Sequence, residues 1–273
     1  MPIKGYRVVS YAKKQIGVQE KKMSLRIIAR LDVKPPYVVK PVHFECLRKM
    51  GTPGDLALKY YQQGADEILY IDIVSSLYQR PILLDAIRET SKELYIPFAV
   101  GGGVKTITDF ENLLHHGVDK VVINTFALQQ DAQIIRRAAE IFGSQAVVVH
   151  IVAKKWQDWW ECYSDCGRIR SGKDALEWAK DVEQLGAGEI LISSVDQDGR
   201  KRGFDIELIS RIVENVKIPV IAASGAGSLE HIGEMVLEAN PDAVAVGSLL
   251  HYNTESIGTI KQYLNDNGIK VAL

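Results

Sequence analysis

The stretch GADEILYIDI, residues 64–73, returns as GAGEILISSV at 186–195. Each copy opens on glycine and runs into the aliphatic, β-branched sequence of a buried strand. Two more pairs keep the same spacing. IPFAVGGGVKT (96–106) returns as IPVIAASGAGS (218–228), and DKVVINTFAL (119–128) returns as DAVAVGSLLH (242–251). The offset stays near 122 residues, so one unit has been written twice.

Working outward from these pairs, strand-like runs fall at 26–32, 67–72, 97–101, 120–124, 146–152, 189–194, 219–223 and 243–247. Between them lie amphipathic segments such as GDLALKYYQQG, DFENLLHHG, DALEWAKDVEQLG and DIELISRIVENV, with apolar residues three and four apart. Alternating strands and helices imply a parallel sheet, and eight such units closing on themselves make a (β/α)8 TIM barrel of two homologous half-barrels. The periodic sequence begins at Met23, which gives a barrel domain over 23–273. Met1–Lys22 is lysine-rich and weakly patterned and lacks a secretion signal's apolar core. It reads as a basic N-terminal arm, disordered or an upstream addition, outside the domain.

Bulk properties narrow the function. The chain has 273 residues, 47% of them hydrophobic, enough for a large core. A net charge of −1 gives no field favouring nucleic acid or anionic membrane, and no apolar run is long enough to span a bilayer. Three cysteines, Cys46, Cys162 and Cys166, suit a reducing cytoplasm better than a disulfide framework, and nothing near them completes a zinc site. No cofactor or metal motif is visible.

A barrel's chemistry sits at the carboxyl ends of its strands. Found there are DVK (32–34), GGG (101–103), NT (124–125), DQDG (196–199), SGAG (224–227) and GS (247–248). Glycine lets backbone approach a ligand, and free N–H groups at a helix start attract phosphate. Such ends occur in both halves, so a substrate with a phosphate at each end would fit.

Taken together, RIIARLDVK, VGGGV, DKVVINT, FGSQAVVV, GAGEIL and DQDG resemble the cyclase subunit of imidazole glycerol phosphate synthase, the HisF family of histidine biosynthesis. The resemblance covers about Leu25–Leu273. It implies a barrel that takes ammonia from a HisH-like glutaminase subunit at its N-terminal face. The ammonia passes to the opposite face and reacts with a bisphosphorylated aminoimidazole-carboxamide ribonucleotide, with two aspartates as acid and base. Asp32 matches the first aspartate and Lys40 the substrate-loop lysine. Gly103, Asn124 and Thr125 match one phosphate site; Asp198, Gly199, Gly225 and Ser248 match the other. Arg26, Glu67, Lys120 and Glu189 match the ring of alternating charge where ammonia enters.

The departures fall at the chemical centre. The second aspartate is Val152, which cannot exchange a proton. Two residues before Asp32, where the family usually has cysteine, stands Arg30; the matching residue in the second half is His150. Strand alternation puts Arg30, Asp32 and Lys34 on one face, and His150, Val152 and Lys154 on the equivalent one, both toward the lumen. Arg30 is expected to pair with Asp32 and lower its pKa, and His150 to be the alternative acid–base group. KKWQDWWECYSDCG (154–167) reads as a hairpin on the barrel rim. The loss at 152 favours a divergent paralogue: an ammonia conduit and docking subunit for amidation of a surface-polysaccharide sugar, working with a separate amidotransferase and still binding a phosphorylated ligand. The alternative is the cyclase itself, using Asp32 with or without His150. A phosphosugar isomerase fits less well, since INT and FGSQ resemble the cyclase.

Overall fold

The structure, a computed structural model, describes residues 24–42, 45–78 and 82–272, with no side-chain account of 41–47. The amino-terminal arm and the side chain of Cys46 therefore lie outside what is described. The chain opens with β1 (Arg26–Lys34), followed by the excursion β2 (Tyr37–Val42) and β3 (Glu45–Gly51), then α1 (Pro53–Gln62). Next come β4 (Glu67–Asp72), α2 (Leu84–Ser91), β5 (Phe98–Gly101), α3 (Ile107–His115), β6 (Lys120–Ile123), α4 (Thr125–Gln129) and α5 (Gln133–Phe142). The second half starts at β7 (Val147–Trp156), with its own excursion β8 (Trp159–Ser164) and β9 (Ile169–Asp174) before α6 (Ala175–Gln184). It continues through β10 (Glu189–Ser194), α7 (Ile206–Asn215), β11 (Val220–Ala223), α8 (Leu229–Ala239), β12 (Ala243–Val246), α9 (Ser248–His251) and α10 (Ile257–Asp266).

Eight parallel strands close in the order β1, β4, β5, β6, β7, β10, β11, β12 and back to β1. This is a (β/α)8 barrel with the first strand of each half diametrically opposed. β1 and β7 run past the 26–32 and 146–152 spans because each continues into antiparallel pairing, Lys34 with Tyr37 and Trp156 with Trp159.

Alternation along the strands sorts the apolar residues into two layers. Residues such as Ile27, Leu31, Ile68 and Val149 face the helices, while Ile28, Leu69, Val122, Val148, Leu191 and Ile221 fill the lumen. At the barrel's floor, an aspartate before a strand accepts the backbone N–H of a neighbouring strand: Asp66 from Ile27, Asp119 from Phe98 and Asp242 from Val220. The repeat has glycine where Asp66 would recur, at Gly188. A Cβ there would run into the Ser144 carbonyl, so this copy closes by backbone contact instead. Several helix starts carry side-chain caps: Thr106 and Asp109 form a capping box on α3, and Asp174 accepts from Leu176 and Glu177 at the start of α6.

Candidate active site

The barrel's floor holds a closed ring of four charges. Arg26 Nη1 and Lys120 Nζ reach Glu67 Oε2 at 2.8 and 2.7 Å, Lys120 reaches Glu189 Oε2 at 2.9 Å, and Arg26 also pairs with Glu189. Burial raises the Glu67 pKa against the pull of Lys120 and Arg26, and its Oε1 is buried without a partner among the described residues.

At the opposite, carboxyl-terminal face lie two cavities. The larger, about 270 Å³, is lined on one side by Gly103, Asn124 and Thr125 and on the other by Asp32, His150 and Val152. The smaller, about 20 Å³, is lined by Lys40, Asp198, Gly199, Gly225 and Ser248. Arg30 borders both. Glycines make the walls possible: Gly102, at φ 109°, leaves no room for a Cβ against the Asp72 backbone, and Gly225, at φ 110°, none against Gly203. In the smaller cavity, Ser224 Oγ donates to Asp198 Oδ1 at 3.0 Å, while Asp198 Oδ2 is buried and has no partner among the described residues.

Between the cavities runs one buried polar network. Lys40, on β2, donates to Asp32 Oδ2 at 3.4 Å. Arg30 Nε donates to Asp32 Oδ1 at 2.9 Å, and its Nη1 crosses the lumen to Ser193 Oγ, on β10, at 3.0 Å. Ser193 Oγ lies 2.9 Å from His150 Nε2. Arg30 can only donate, so Ser193 Oγ accepts from it and keeps a hydrogen and a lone pair for His150, where the tautomer of the ring sets which partner donates. Burial and then Arg30 push the His150 pKa down to about 3. This imidazole is neutral near pH 7, a hydrogen-bond donor with little basicity, which weakens it as a substitute acid–base group. Burial alone would raise the Asp32 pKa, but Arg30 and Lys40 outweigh it and hold the carboxyl well below the usual range. Lys34 stands exposed above the rim instead of in the lumen.

Three participants have weak signals in the sequence. Ser193 is inward by alternation from Glu189. His251, on α9, bonds Tyr60 through Nδ1 at 2.8 Å and is pushed down to about 4, by burial and then Lys40. Asp165, in the β8–β9 turn, also lines the larger cavity. Trp156 and Trp159 on the hairpin are half-exposed, while Trp160 is buried with its Nε1 on Asp205 at 2.9 Å. Among the described residues, no group of three or more His, Cys, Asp or Glu could hold a metal ion, and no helix is long and apolar enough to cross a membrane.

Residues 26–256 match the family described as histidine biosynthesis protein, a span holding all eight barrel strands and both cavities. The chain belongs to this family. Within it, the chain is 46% identical over 250 residues to imidazole glycerol phosphate synthase subunit HisF of Clostridium botulinum (strain Langeland / NCTC 10281 / Type F), covering 91% of this chain and 98% of that one. The protein of the same name from Thermococcus onnurineus (strain NA1) is 44% identical over 251 residues, covering 92% and 99%. Within this histidine biosynthesis family, both excursions, the ring and the two cavities fall inside the matched span.

Proposed function

We propose that the chain is the cyclase-type barrel subunit of an ammonia-dependent synthase of the imidazole glycerol phosphate kind. The observation that carries this reading is the pair of glycine-walled cavities flanking Asp32 at one end of a barrel whose other end is a four-charge ring. A ligand with a phosphate at each end would place one against Gly103, Asn124 and Thr125. The other would meet the backbone of Gly199, Gly225 and Ser248, beside Lys40 and Arg30. Asp32, ionised and central, accepts N–H hydrogen bonds from the ligand between them. Ammonia enters past Arg26, Glu67, Lys120 and Glu189 from a glutaminase subunit docked on that face. The full-length similarity to proteins named as HisF subunits favours this reading over the polysaccharide paralogue that the sequence alone favoured.

The test is formation of imidazole glycerol phosphate by the purified chain from the bisphosphorylated aminoimidazole-carboxamide ribonucleotide, with an ammonium salt and no glutaminase. Turnover is expected; its complete absence in the native chain would falsify the cyclase reading. A second reading keeps one specific observation on its side. With Val152 on β7 and Asp32 tied to Arg30, the strand carboxylates of a proton-transfer pair are reduced to one. On that reading the barrel passes ammonia to a separate sugar amidotransferase in the cytoplasm, and activity appears only in Val152→Asp.

A further inference from the structure

Val152 leaves β7 without a carboxylate, but β7 does not end there. It turns into β8, where Val152 lies opposite Tyr163. Two residues further on, in the β8–β9 turn, Asp165 returns to the barrel mouth and lines the same cavity as Asp32, His150 and Val152.

The turn is fastened to the residues that flank the cavity on β6 and α4. Asn124 Nδ2 donates to the Tyr163 carbonyl at 3.5 Å, the Asp165 N–H donates to Thr125 Oγ1 at 3.1 Å, and Gln129 Nε2 donates to Ser164 Oγ. Asp165 and Cys166 both adopt left-handed backbone, φ 45° and 56°, as a tight hairpin turn requires of its central residues. Asp165 Oδ1 is buried and finds no hydrogen-bond partner among the described residues, an arrangement that costs free energy unless a donor arrives. Beside it, the Cys166 thiol is raised to about 12, by burial first and then by Asp32, against the pull of Arg30 and Arg168, with Asp165 adding a smaller push.

We propose that Asp165 is the second acid–base carboxylate of this site, delivered by the hairpin to the cavity that β7 leaves without one at position 152. The role rests on the ammonia-dependent reaction proposed above. As the ammonia nitrogen bonds to a carbonyl carbon of the ligand, a proton leaves nitrogen for the Asp165 carboxylate. Asp165 passes it to the carbonyl oxygen, giving a carbinolamine hydroxyl; a second proton then leaves the nitrogen for Asp165 and is passed to that hydroxyl as its bond to carbon breaks, so that water departs and a carbon–nitrogen double bond remains. Asp32, paired with Arg30 and Lys40, stays ionised and orients the nitrogen.

The experiment measures ammonium-driven turnover of the bisphosphorylated ribonucleotide by the full chain carrying Asp165→Asn or Asp165→Ala, each with and without Val152→Asp. Asparagine keeps an acceptor oxygen but cannot hold the proton. Asp165→Asn is expected to lower kcat by about 100-fold or more with KM within about 3-fold. Adding Val152→Asp is expected to recover at least about 10-fold of that loss, which a merely misfolded variant would not show. An unchanged kcat in Asp165→Asn overturns the proposal and leaves the cyclase reading standing. If the native chain gives no turnover, the cyclase reading fails, and calorimetric titration with the same ribonucleotide decides on Asp165. A ligand-facing carboxylate then requires binding about 10-fold weaker in Asp165→Ala and unchanged in Asp165→Asn. Equal binding by all three, or none by the native chain, overturns the assignment.

Discussion

Arg30 shapes the centre of this barrel more than any other single residue. A guanidinium can be held there because it is spent on Asp32 and Ser193, while Lys40 pays part of the same carboxylate's desolvation. Asp32→Ala would leave that buried cation without its counter-ion, and a loss of about 3–5 kcal/mol is expected in urea titration. Because the Asp32 pKa is depressed on folding, its contribution is complete above its unfolded value of about 3.9 and is lost as pH falls below it. The histidines act in a different window. His150 and His251 are pushed down to about 3 and about 4, whereas an unfolded histidine titrates near about 6.5. Between those values the unfolded chain binds more protons, so stability is full above about pH 6.5 and falls toward pH 4. Melting temperature against pH is expected to show this slope, and His150→Gln to flatten part of it.

The elements follow local rules with one exception. Capping residues mark helix starts that composition already suggested, and removing one, as in Asp174→Ala, is expected to cost about 1 kcal/mol in thermal unfolding. Gly188 is different. Its sequence neighbours give no hint that a methyl group is forbidden, yet the Ser144 carbonyl occupies that space. Gly188→Ala is expected to destabilise by about 1–3 kcal/mol, a penalty of overpacking that the melting temperature would report. The excursions after β1 and β7 show the limit of reading elements from pattern. The tryptophan-rich hairpin was legible, but the third strand, β9, was not: its residues Ile169–Asp174 are mostly exposed and carry no buried periodicity. Asp165 was illegible for the same reason, since a turn residue's direction is set by Thr125 and Gln129, some 40 positions away.

At the scale of the whole molecule, the chain is a tube with different chemistry at its two ends. The floor ring joins four strands by alternating charge, each member held by two neighbours of opposite sign. Lys120→Ala would leave Glu67 and Glu189 sharing Arg26 alone, and a loss of about 1–3 kcal/mol is expected in chemical denaturation. On the proposed ammonia route the same variant changes glutamine-driven turnover in the complex more than ammonium-driven turnover. Equal changes in both assays would show that the ring serves stability only.

The sequence by itself determined the architecture. A period near 122 residues and eight alternating strand and helix patterns leave few topologies open, and residue parity along β1 and β7 places Arg30, Asp32, His150 and Val152 toward one lumen. Only the tertiary structure decided how those side chains spend their hydrogen bonds. Whether His150 is basic depends on its burial and on a cation from the opposite wall, Arg30, and its hydrogen bond goes to Ser193 on the neighbouring strand β10. Whether the site has one carboxylate or two depends on where a hairpin turn comes to rest. Burial and partner geometry fix both, and neither is a property of residues adjacent in sequence.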